Sequence, residues 1–126
     1  VADPEGSVFL PYWRDGDAAI TSGGSRIEGI GRPQVEPSFV RALVDHMLPV
    51  TNIESINAMR ALSEQLGRRV GPSTGTNFHA MLLLAEAMLA HGEQGSIMSL
   101  ICDAGERYLN TYFDEAWVNK NFGDCA

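Results

Sequence analysis

Gly71-Pro72-Ser73-Thr74-Gly75-Thr76-Asn77 is a short, polar, glycine-containing loop set directly before an apolar run that reads as a helix. Cys102-Asp103-Ala104-Gly105-Glu106-Arg107-Tyr108, further along, has the same character, and a final helix is expected from Gly105 onward. Backbone N–H groups and small hydroxyls gathered at a helix start suit a bound anion or the polar edge of a cofactor. Between the two loops, Phe78 to Leu89 is apolar on most faces, so a helix from about Thr76 to His91 has to be buried nearly all round, with Gly92 as its stop. A piece of this size can hardly enclose that helix alone. Ser96-Ile97-Met98-Ser99-Leu100-Ile101 then reads as a central strand.

Working outward, Thr51-Asn52-Ile53-Glu54 matches a capping box. Ile53, Ile56, Met59, Leu62 and Leu66 follow at helical spacing, and Gly67 supplies the stop. Val70 is a minimal strand leading into the Ser73 loop. From Phe39 to Val50 the period is unclear: Phe39, Val40, Leu43, Val44 and Met47 suit a helix, whereas Met47-Leu48-Pro49-Val50 reads as extended because Pro49 restricts its neighbour. Residues 1–37 are rich in glycine and proline, with Ser7 to Trp13 as one short ordered stretch that Asp15-Gly16-Asp17 breaks. Thr21 to Arg32 holds Gly23, Gly24, Gly29 and Gly31, a backbone that needs positive φ or close approach to a neighbour. Alternating strands and helices of this kind predict an α/β fold with a parallel sheet and flanking helices.

Composition narrows the class. The chain has 126 residues, 44% hydrophobic and 20% charged, close to the globular average. Its net charge of −7 and scattered arginines argue against a nucleic-acid partner, which needs clustered basic residues. No apolar run approaches a membrane span, the longest being Ala80 to Ala90 with Glu86 inside it. Cys102 and Cys125 give neither metal-ligand spacing nor a disulfide framework, and Cys102 is expected as a buried thiol. His46, His79 and His91 do not cluster, so neither a metal nor a catalytic histidine is expected.

The two loops, in this order and with an apolar strand between them, resemble the C-terminal portion of the cysteine synthase family, fold type II (tryptophan synthase β-like) enzymes that use pyridoxal 5′-phosphate. That family carries a Gly-x-Ser-Ser-Gly-Ala-like loop followed by Ser-Gly-Glu-Arg-Tyr or a close variant. Arg26-Ile27-Glu28-Gly29-Ile30-Gly31 is similar to its Gln/Glu-Gly-Ile-Gly segment. The resemblance covers roughly residues 3 to 119 and implies that residues 1–126 form the C-terminal part of a cofactor-binding catalytic domain, incomplete in this chain. Enzymes of this class hold the cofactor as a Schiff base on a lysine, and the only lysine here is Lys120, near the end of the chain. The implied partner is therefore the N-terminal remainder of the same enzyme, and no residue of this chain is assigned a catalytic role.

By the same resemblance, Ser73 faces the pyridine nitrogen of the cofactor, with Thr74, Gly29 and Asp103 completing the cofactor-binding set. Gly31 and Arg32 line the substrate mouth. Read from the residues alone, capping of the next helix by Ser73 or Thr74 is the favoured reading, Asp103 equally caps the last one, and Arg32 equally is an exposed loop residue. The implied chemistry is β-elimination or β-replacement on cysteine or an activated serine, in a cytoplasmic homodimer of sulfur amino-acid metabolism. Ser73-Thr74-Gly75-Thr76-Asn77, and Arg32-Pro33 after Gly31, depart from the synthase pattern towards cysteine synthase-like proteins and L-cysteine desulfhydrases. A lyase and a transferase thus both remain open, as does a non-catalytic binding fragment of the same fold.

Overall fold

The computed structural model describes residues 1–123; Cys125 lies outside them. The chain runs as β1 (Ala2–Pro4), α1 (Phe9–Asp15), a 3-10 turn (Arg41–Leu43), β2 (Leu48–Val50), α2 (Asn52–Leu66), α3 (Pro72–Ala90), a second 3-10 turn (Glu106–Tyr108) and α4 (Glu115–Phe122). β1 and β2 pair in parallel, with Ala2 opposite Leu48 and Pro4 opposite Val50. This is the expected α/β pattern: a small parallel sheet with helices beside it.

The first long helix forms as its sequence dictates. Thr51 accepts a hydrogen bond from the Glu54 amide, Glu54 accepts one from the Thr51 amide at 2.8 Å, and Gly67 ends α2 in the left-handed conformation. α3 starts at Pro72, earlier than the expected Thr76. Proline suits a first helical position because its fixed φ is helical and its missing N–H would have no partner there. α2 and α3 pack closely because Gly75 has no side chain: a Cβ there would overlap the Ser55 carbonyl oxygen and lie 2.7 Å from Met59 Cβ. Ser55 Oγ and Thr76 Oγ1 share a buried 2.8 Å hydrogen bond across the same contact. Ile56, Met59, Val70, Tyr108, Tyr112, Val118 and Phe122 then form a core that also encloses Ile27 from the glycine-rich segment.

Several expectations are corrected. Ser96 to Ile101 belongs to no strand among the described residues, and Met98 and Leu100 are 94% and 73% exposed. A strand exists only against a neighbour, and none of the described strands lies alongside this segment. α3 is not buried all round: Leu82, Leu84 and Leu89 are exposed. The last helix does not begin at Gly105; a 3-10 turn comes first and α4 starts at Glu115, capped by the Asp114 carboxylate at the Trp117 amide. Val70 makes a single antiparallel bridge with Ala104. Cys102 is exposed, because it sits at the rim where this bridge brings the two loops together.

Candidate functional site

The bridge between Val70 and Ala104 places the two polar loops side by side. Gly71 N donates to the Asp103 carbonyl at 3.2 Å, and Gly105 N donates to the Arg69 carbonyl at 3.1 Å. Thr74 Oγ1 accepts from the Cys102 amide at 2.9 Å, so this 2% exposed hydroxyl is committed to holding the second loop. Both glycines are required by packing. A Cβ on Gly71 would overlap Asp103 Oδ1, and one on Gly105 would lie 2.6 Å from the Val70 carbonyl oxygen.

Ser73 occupies the second position of α3 and is 5% exposed. Gly71 is the helix N-cap, with no side-chain cap bond, so the capping alternative for Ser73 or Thr74 is not the one adopted. Ser73 Oγ makes no hydrogen bond among the described residues. Across from it stands Gly29, with φ of +88°, a conformation that favours glycine. A Cβ on Gly29 would project to within 3.7 Å of Ser73 Oγ. The space in front of the hydroxyl is therefore left open by the lack of a side chain at position 29.

Asp103 is half-buried behind this hydroxyl-bearing loop. Its Oδ2 accepts from the Tyr108 hydroxyl at 2.6 Å, while Oδ1 is buried without a partner. Burial, and then the neighbouring Asp103, push the Tyr108 phenol far above its ordinary range, so it stays a donor. The carboxylate also lies at the N-terminal end of α3, where the helix dipole favours negative charge.

The glycine segment hangs between two fixed posts. Upstream, the Glu28 amide and the Arg26 carbonyl both bond the Tyr112 hydroxyl, at 3.1 and 2.9 Å. Downstream, the Arg32 amide donates to Ser7 Oγ at 3.3 Å and the Arg32 carbonyl accepts from Val8 N at 3.0 Å. Gly31, with φ of +78°, packs so tightly that a Cβ would lie 2.8 Å from Pro4 Cγ. Arg32's side chain is exposed, donates to the Gly31 carbonyl at 2.9 Å and reaches Glu36 at 4.0 Å. Arg107 pairs with Glu28 at 3.3 Å. Ser7 and Tyr112 carry none of the glycine-rich or hydroxyl-rich signals that marked the loops, and their parts in the site come from contacts distant in sequence.

These features fit one edge of a planar ring bearing a hydrogen-bonding nitrogen: a hydroxyl on a buried serine with no partner among the described residues, a glycine that clears the approach, and a fixed carboxylate behind. They fit only that edge. The single lysine, Lys120, lies on α4, and its side chain belongs to the exposed end of that helix. Among the described residues no helix is long and apolar enough to cross a membrane.

The chain is 49% identical over 127 residues to L-cysteine desulfhydrase Cds1 of Mycobacterium tuberculosis, a match spanning 100% of this chain and 34% of that protein. It is 28% identical to cysteine synthase 1 of Neurospora crassa over 95% of this chain and 32% of the relative. Among solved structures, the O-acetylserine dependent cystathionine beta-synthase of Helicobacter pylori superposes with a TM-score of 0.64 and 29% identity, over 86% of this chain and 32% of that one. No family model matches. The chain belongs to the cysteine synthase family of fold type II pyridoxal 5′-phosphate enzymes and corresponds to its C-terminal portion. It spans about a third of the length of the curated relatives it matches.

Proposed function

We propose that this chain supplies the pyridine-nitrogen side of the active site in a pyridoxal 5′-phosphate enzyme that breaks down cysteine, or a closely similar β-substituted amino acid, by β-elimination. The observation that carries the reading is Ser73: a hydroxyl on a buried serine, with no partner among the described residues, facing the side-chain-free Gly29. When bound, the cofactor supplies an electron sink that labilises the substrate's Cα proton and its β-leaving group.

Ser73 offers the ring nitrogen a neutral hydrogen-bonding partner. A neutral partner leaves that nitrogen unprotonated and the sink moderate, which suits eliminations driven by a good leaving group on Cβ. Gly29 and Ile30 carry backbone amides with no hydrogen bond among the described residues, and these are free to meet a substrate carboxylate. Arg32, exposed at the downstream end of the same loop, adds a positive charge that attracts an anionic substrate. Asp103, held by Tyr108, keeps the second loop in register behind Ser73.

The remainder of the polypeptide would supply the lysine and the phosphate cradle, and would cover the apolar groove formed by Phe39, Leu43, Met81, Leu84, Met98 and Leu100. In that setting Ser96 to Ile101 gains the strand neighbours it lacks among the described residues. A cytoplasmic homodimer is part of the same reading. Breakdown is preferred to synthesis because identity is 49% to a desulfhydrase and 28% to a synthase over nearly the same span. The test is the complete enzyme presented with cysteine alone, and separately with O-acetylserine and sulfide. Sulfide and pyruvate release from cysteine, well above cysteine formation from the second mixture, is expected; cysteine formation as the faster reaction would overturn the assignment of direction.

A further inference from the structure

The aromatic cluster of the C-terminal region does more than fill the core. Tyr112 is 5% exposed, packed edge-on against Tyr108 at 5.6 Å and Trp117 at 5.2 Å between ring centroids. Burial alone explains the ring. It does not explain where the hydroxyl goes. That oxygen donates to the Arg26 carbonyl at 2.9 Å and accepts from the Glu28 amide at 3.1 Å, spanning both sides of Ile27. Two backbone groups that would otherwise have no partner are thereby satisfied by one side chain from the far end of the chain.

Three further ties converge on the same short segment. The Arg26 guanidinium stacks over the Phe122 ring at 4.1 Å and donates to the Asn121 carbonyl. Ile27 is 2% exposed in the shared core, and its amide is held by Ser25 Oγ at 3.0 Å. Glu28 pairs with Arg107. Immediately after this fixed stretch comes Gly29, facing Ser73, and the backbone amides of residues 29–31 make no hydrogen bond among the described residues. The loop's position over Ser73 is therefore set by its posts. Of the upstream ties, the Tyr112 hydroxyl bonds the backbone amide nearest the loop, that of Glu28.

We propose that Tyr112 is a positioning residue for the cofactor site: its hydroxyl fixes the Arg26–Glu28 backbone, and through it the placement of Gly29 opposite Ser73. This rests on the assignment of Ser73 and Gly29 to the cofactor given above. Tyr112→Phe keeps the ring, its aromatic neighbours and the core volume, and removes only the two bonds to the loop. Trp117→Phe disturbs the same cluster without touching a loop hydrogen bond, and serves as the structural control.

The experiment uses the complete enzyme, stripped of cofactor, with pyridoxal 5′-phosphate binding followed by equilibrium dialysis and amide hydrogen exchange followed at Glu28 in the cofactor-free protein. Tyr112→Phe is expected to raise the dissociation constant roughly three- to tenfold, the scale of losing an ordinary hydrogen bond, and to speed exchange at Glu28. Trp117→Phe is expected to lower the melting temperature with neither change. Faster exchange without weaker binding, or equal weakening in both variants, would overturn the positioning role. If Tyr112→Phe fails to fold, Tyr112→His, which keeps a polar ring atom at the loop, is expected to bind the cofactor more tightly than Tyr112→Leu, and equal binding by those two would overturn it as well. A complete wild-type enzyme that binds no cofactor would bring down the cofactor assignment itself, an outcome distinct from wild-type binding that Ser73→Ala weakens and Tyr112→Phe leaves intact.

Discussion

Tyr108 donates a 2.6 Å hydrogen bond to Asp103 Oδ2, while Oδ1 of the same carboxylate is buried against Gly71 with no partner. One phenol therefore secures the charged group that stands at the junction of the two loops. Removing it leaves a half-buried carboxylate with no protein donor among the described residues. Tyr108→Phe is expected to cost about 1–3 kcal/mol, the range for stripping a buried polar group of its partner. Thermal melting of the complete enzyme checks this. Because the phenol is held well above its ordinary pKa by burial and by Asp103, the wild-type bond persists from neutral into mildly alkaline pH. The variant's deficit should thus stay constant over that range.

Gly75 tests the seam between α2 and α3. A methyl group there would overlap the Ser55 carbonyl oxygen and crowd the Met59 backbone nitrogen at 2.8 Å, both of them parts of a packed helix that cannot turn aside. Gly75→Ala is expected to destabilise by about 1–3 kcal/mol or more, despite alanine's better helix propensity. A denaturant midpoint equal to wild type would mean the helices sit further apart than described.

The capping box at the start of α2 gives a pH signature. Glu54 titrates below its ordinary value, chiefly because the Thr51 amide bonds its carboxylate. A depressed folded pKa contributes stability that is fully present above the ordinary glutamate pKa and is lost as pH falls through the folded value. Wild-type melting temperature should therefore fall through the acidic window below the ordinary glutamate value. Glu54→Gln retains the box geometry and should show a flatter profile there. Thr51→Ala, which removes the cap oxygen, should cost about 0.5–2 kcal/mol at neutral pH.

How much was legible in sequence follows from how local each signal is. α2 was readable end to end because its cap, its apolar spacing and its glycine stop all act within one helix. The juxtaposition of the Ser73 and Asp103 loops was readable only through resemblance, since their meeting depends on the Val70–Ala104 bridge. Ser96 to Ile101 has a strand's composition, but strand formation depends on neighbouring strands that the described residues do not place beside it. The Tyr112 hydroxyl's bonds to Arg26 and Glu28 cross most of the chain and leave no trace in spacing.

Arg32 separates substrate attraction from a plain surface role. Its backbone is fixed by Ser7 and Val8, whereas its side chain is exposed and only loosely paired with Glu36. Arg32→Ala in the complete enzyme should leave stability within about 0.5 kcal/mol of wild type, as surface changes usually do. It should raise KM for the amino acid more than it lowers kcat. An unchanged KM across cysteine, O-acetylserine and O-phosphoserine would reduce Arg32 to an exposed loop residue.

The central claim is that the Ser73 hydroxyl faces the cofactor's ring nitrogen, and Ser73→Asp tests it most directly. α3 is capped by Gly71, and an acidic side chain in a first helical turn is favourable, so the fold should tolerate the change. The measurement is the visible absorption spectrum of the complete enzyme with pyridoxal 5′-phosphate, wild type against variant. A carboxylate at that position should protonate the ring nitrogen and shift the band, with Ser73→Ala instead weakening cofactor binding by about 0.5–1.5 kcal/mol. A folded Ser73→Asp enzyme with the wild-type spectrum and turnover would contradict the assignment.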